Sequence, residues 1–99
     1  MKLNASSRLF AWDQVSKQQQ QHVVDFTRRL LHQHGIKALV TIKRPGEMTV
    51  QTDNYEDDRK AEHLLFKNPN LKSDGSNRVY DEKTGKHVYF NFWKFRGLD

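Results

Sequence analysis

Apolar positions along this chain switch between a helical spacing and strict alternation, and the switches divide it into six elements. Val23, Phe26 and Leu30 follow i, i+3, i+7, with Val24, Thr27 and Leu31 widening the stripe, so a first helix is predicted here. Ser16-Lys17-Gln18-Gln19 has the S-x-x-Q form of a capping box, in which the two side chains satisfy free backbone amides at a helix start. Gln18–Gln21 reads as an exposed first turn, and Gly35 as the left-handed stop. Ile36–Lys43 alternates, with Ala38, Val40 and Ile42 on one face and Lys37, Leu39, Thr41 and Lys43 on the other. Arg44-Pro45-Gly46-Glu47 places Pro and Gly where a type II turn needs them, and Met48, Val50 and Thr52 continue as the second strand of a hairpin.

Asp53-Asn54-Tyr55-Glu56 is a second cap, opening a helix to about Lys67 with Tyr55, Ala61, Leu64 and Leu65 as its narrow apolar stripe. Asn68-Pro69 ends it. Asn70 to Asn77 is rich in turn residues and reads as a mobile loop. Arg78–Asp81, a turn through Glu82-Lys83-Thr84-Gly85, and Lys86–Phe95 are then expected to form a second hairpin.

The order α-β-β-α-β-β predicts an α+β fold, with two helices packed on one face of a four-stranded, mainly antiparallel sheet. Aliphatic residues are too few to support helices on both faces. Residues 1–12, with the apolar cluster Leu9-Phe10-Ala11-Trp12, read as an N-terminal arm, and residues 13–99 as a single domain. The element order repeats, although no residue pattern repeats with it.

Lys86–Phe95 is the part of the chain densest in aromatic residues. Alternation puts Val88, Phe90 and Phe92 on one face, and His87, Tyr89, Asn91, Trp93 and Phe95 on the other. The first set is expected beneath the helices. The second set then carries surplus rings, covered by the arm or open to a partner.

Composition narrows the setting. With 99 residues and 35% hydrophobic content, and a mean hydropathy of −0.93, the chain can build one thin core that relies on aromatic side chains. It has no cysteine, so disulfides and thiolate zinc sites are excluded, in keeping with a reducing cytosol. No apolar run approaches the roughly 20 residues of a membrane span, and the N-terminus lacks a signal-peptide core, so a cytoplasmic protein is expected. Seventeen Lys and Arg against twelve Asp and Glu give a net charge of +5, which favours encounter with polyanions.

Glu56, Asp57, Asp58, Glu62 and His63 crowd the second helix, but a solvated acidic face beside Arg59 and Lys60 accounts for them. There is no H-x-x-x-H or C-x-x-C spacing, and no metal or cofactor is called for. His87, Lys86, Tyr89 and Arg78 could supply the base, acid and cation of a small basic ribonuclease. Lys37, Lys43 and Arg44 on one hairpin, and Arg78, Lys83, Lys86 and Lys94 on the other, are placed to meet phosphates, although edge lysines also deter sheet aggregation. Lys83-Thr84-Gly85-Lys86 is a hairpin tip and not a Walker loop.

Tyr89 and Trp93 were the expected stacking rings; alternation puts Lys86 and Lys94 opposite them, so the lysine stems would have to reach round. Taken together, these residues point first to a non-enzymatic module binding nucleic acid or a nucleic-acid-handling complex. A small inhibitor or adaptor of the phage accessory type, binding protein through the same rings, is the alternative. A ribonuclease ranks third.

Overall fold

A computed structural model describes residues 17–95, within which the expected α-β-β-α-β-β order is found. The elements are α1 (Lys17–Gln33), β1 (Leu39–Arg44), β2 (Glu47–Thr52), α2 (Tyr55–Phe66), β3 (Leu71–Asp81) and β4 (Lys86–Phe95). The four strands form one antiparallel sheet in the order β1-β2-β4-β3, with both helices on one face. The expected arm and the Ser16 cap lie outside the described residues. No described helix is long and apolar enough to cross a membrane.

The core lies between helices and sheet. Val24, Thr27 and Leu31 of α1 and Ala61 and Leu65 of α2 cover Val40, Met48, Val50, Trp93 and Phe95. The buried stripe of α1 is therefore centred one position beyond Val23, Phe26 and Leu30, and Phe26 is 44% exposed. α2 starts one residue later than the sequence suggests: Asn54 is the cap, its side-chain oxygen accepting from the Asp57 amide at 2.8 Å.

Two sheet irregularities matter for function. Between Ile42 and Arg44 the β1–β2 register slips, leaving Lys43 as the extra residue of a bulge just before the Pro45-Gly46 turn. β3 is also longer than expected. Leu71 to Asn77, read as a loop, is paired along β4, with a second bulge between Ser73 and Ser76 where Gly75 takes φ 101°. The polar composition that suggested a loop is tolerated because this strand is at the sheet edge and almost wholly exposed.

Candidate nucleic-acid interface

The faces of β4 are the reverse of those expected. Trp93 and Phe95 are each 1% exposed in the core, whereas Val88, Phe90 and Phe92 are only half-buried on the face without helices. Register is the reason. Trp93 sits opposite Met48 and Asn91 opposite Val50, and those β2 residues share the face of Val40 and Ile42. A strand apolar on both sides is oriented by its neighbours, and here β2 decides. Trp93, expected as a surface ring contact, is instead a core residue under the edge of Phe66, the ring centroids 5.2 Å apart.

Asn91, the polar member of the buried face, has a partner that compensates for its burial. Its Nδ2 donates to the Asp58 carboxylate, and lies 3.5 Å from the Asp58 backbone carbonyl. Burial pushes the Asp58 carboxyl above its ordinary range and nearby Glu62 adds to this, while Arg59 and the Asn91 hydrogen bond oppose it. Asp58 thus holds its proton more tightly in the folded chain than in the unfolded one. Its contribution to stability is greatest below the ordinary value of 3.8 and is lost as pH rises through the higher folded value. Asp58→Asn keeps an acceptor for Asn91 and removes this titration. The difference in urea stability between the two chains should therefore vary with pH in that window, Asp58→Asn gaining on the parent as pH rises. A constant difference would contradict it.

The face that no described helix covers is built by cross-strand pairs. Phe90 lies between Gln51 of β2 and Asn77 of β3, while Phe92 has Thr49 on one side and the β3 bulge on the other. The two rings are parallel within 3°, their centroids 6.3 Å apart. Lys43 Nζ lies 5.1 Å from the centre of the Phe92 ring, a cation–π contact that the β1 bulge makes possible. The same bulge lets Arg44 pair with Glu47 at 2.8 Å on this side of the sheet. Beyond the rings, Lys94 lies beside Glu47 and Lys72, and Lys86 pairs in register with Asp81.

The expected contacts therefore divide. Lys43, Lys86 and Lys94 are brought together with Phe90 and Phe92, and their stems need not reach round the sheet. Lys94 has Asp74 4.0 Å away, both half exposed and weakly paired. Lys43 and Lys86 have no carboxylate partner within ion-pair distance among the described residues. Lys83 lies on the turn beside this face. Lys37 lies before β1, in a depression with Arg28, Arg29 and His32 near the end of α1, away from the rings.

Arg78 and Tyr89 are paired on the helix side of the long hairpin. There Tyr55, Tyr89, His87 and Tyr80 form a row of tilted or edge-on rings, with successive centroids 6.1, 6.4 and 5.3 Å apart. This arrangement splits the residues considered for a ribonuclease, because Lys86 lies on the opposite face from His87, Tyr89 and Arg78. Among the described residues no group of three or more His, Asp or Glu side chains is placed to hold a metal ion.

Phe90 and Phe92 were missed as surface rings, although a signal for them was present. Lys86 and Lys94 share their alternation, and a strand face with lysine at both ends is more readily solvated than one that carries no fixed charge. No protein-family model, curated protein or solved structure matches this chain. The site's chemistry must carry the functional argument.

Proposed function

We propose that this chain is a non-enzymatic module that binds single-stranded nucleic acid across the open face of its sheet. The observation that carries this is the pair of parallel rings, Phe90 and Phe92, on the sheet face that neither described helix covers, with Lys43 over one of them. Unpaired bases stack on such rings, while a duplex keeps its base faces inside. Lys43, Lys72, Lys86 and Lys94 surround the rings on the same face and provide for the phosphates. The chain's net charge of +5 has the sign this requires.

The direct test is fluorescence anisotropy of a labelled oligonucleotide at several salt concentrations. With three to four phosphates neutralised, affinity should fall roughly 20- to 50-fold between about 50 and about 200 mM salt. Absence of binding at the lower concentration would reject the proposal.

The ring row on the other side of the hairpin favours a second reading, an adaptor that grips a protein. Tyr55 is 63% and Tyr80 55% exposed, and tyrosine beside arginine is the usual make-up of a protein-binding hot spot. The two sites lie on opposite faces, so the two readings are separable by mutation and can both hold.

A further inference from the structure

A depression of about 420 Å³ lies beside Phe90 and runs towards the hairpin tip. Phe90, Val88 and Val79 give it an apolar floor, while Gln51, Asp81, Glu82 and Lys83 lie at its edges. Gln51 is directly opposite Phe90 in the sheet and its side chain makes no hydrogen bond among the described residues, so its carboxamide has both donor and acceptor available. Asp81 uses one carboxylate oxygen to accept from the Lys83 amide at 3.0 Å, and Glu82 adds a second carboxylate at the edge. The surroundings of Phe92 differ: it has Thr49 on one side and Gly75, with open space where a Cβ would stand, in the bulge on the other.

We infer that this depression is a base-selective subsite, which takes a base carrying an exocyclic amino group in preference to uracil or thymine. The inference rests on the single-strand reading above and adds a specificity to it. A base stacked on Phe90 turns its edge towards acceptors: two carboxylates that can only accept, and one carboxamide that can do either. The amino group of cytosine or adenine donates to them. Uracil and thymine present a carbonyl at the same place, which meets the carboxylates with no hydrogen to share. The carboxylates nearest Phe92 already face cations, Asp74 at Lys94 and Glu47 at Arg44, so that ring takes any base. Selection therefore belongs to one of the two stacking positions, and Lys83 sits at the same depression to meet an adjoining phosphate.

Cytosine and uracil make the cleanest comparison, being pyrimidines of equal size that differ in their hydrogen-bonding edge. Deoxycytidine and deoxyuridine homo-oligomers of about eight nucleotides should differ roughly five- to tenfold in dissociation constant, in favour of cytosine. Asp81→Asn and Glu82→Gln, which each turn an accept-only carboxylate into a carboxamide that can also donate to a carbonyl, should each bring that ratio towards one. Glu82→Gln should at the same time raise affinity for both oligomers, since it removes a negative charge. Failure of the parent chain to bind either oligomer overturns the single-strand reading. Equal binding of both overturns the selectivity and leaves that reading standing. A cytosine preference unchanged in both variants overturns its assignment to this depression.

Discussion

Phe90→Thr with Phe92→Thr should leave the domain folded and lower its affinity for single-stranded oligonucleotide by roughly one and a half to four orders of magnitude. A base stacked on an aromatic side chain is worth about 1–3 kcal/mol, and the double substitution removes both rings. Threonine is chosen because it keeps strand propensity and already occupies the flanking positions Thr41 and Thr49 on this face. Neither ring belongs to the buried core, so the far-ultraviolet circular dichroism of the variant should match that of the parent. The decisive measurement is anisotropy at low salt, where Coulombic attraction by the lysines persists and the loss of stacking is read separately. Parent-like affinity in the folded double variant would remove the rings from the interface and the central support from the proposal.

Trp93→Ala should act on the fold itself. Trp93 is among the largest fully buried side chains, and a Trp-to-Ala change in a core costs about 3–5 kcal/mol. Whole domains are stable by only about 5–15 kcal/mol, and one with a core this small belongs near the lower end. The variant should therefore lose most of its urea midpoint, or be unfolded without denaturant. Trp93→Phe should fall between parent and alanine variant, because Trp93 Nε1 is buried without a hydrogen-bond partner among the described residues and its removal orphans none of them. A parent-like midpoint for Trp93→Ala would contradict the core placement. Loss of any binding activity in that variant would report a lost fold, so Trp93 is the wrong residue with which to probe an interface.

The contrast between Trp93 and Phe92 shows how far the sequence is legible. The helices, the first hairpin and the element order follow from periodicity, since α1 and β1 are apolar on one side only and can turn only that side inward. β4 is apolar on both sides, and alternation does not say which is inner. That choice is made by pairing with β2 and by Asn91 meeting Asp58, a contact between residues 33 positions apart. β3 was obscured for a related reason. Its Ser, Asp, Gly and Asn residues carry turn propensity, and the long β4 beside it supplies the pairing that overrides it. Of the candidate contacts, Lys43, Lys86 and Lys94 could be identified as cations on strands. The bulge that turns Lys43 onto Phe92 follows from the register at the hairpin, to which composition is blind.

The strand order has a consequence of its own. A helix precedes each hairpin, and the two α-β-β units, residues 17–52 and 55–95, meet along β2 and β4 as antiparallel neighbours in the centre of the sheet. A two-fold rotation about the middle of that seam would carry β1 onto β3 and β2 onto β4, the arrangement that two copies of one half-sized chain would adopt. The chain thus has the plan of a symmetric pair joined end to end, in which the two halves need not be alike. The second hairpin breaks that symmetry, its strands of 11 and 10 residues outrunning the six-residue strands of the first. Phe90, Val79, Val88, Lys83 and Lys86 lie on that longer unit. The break in symmetry and the proposed binding surface occupy the same part of the molecule.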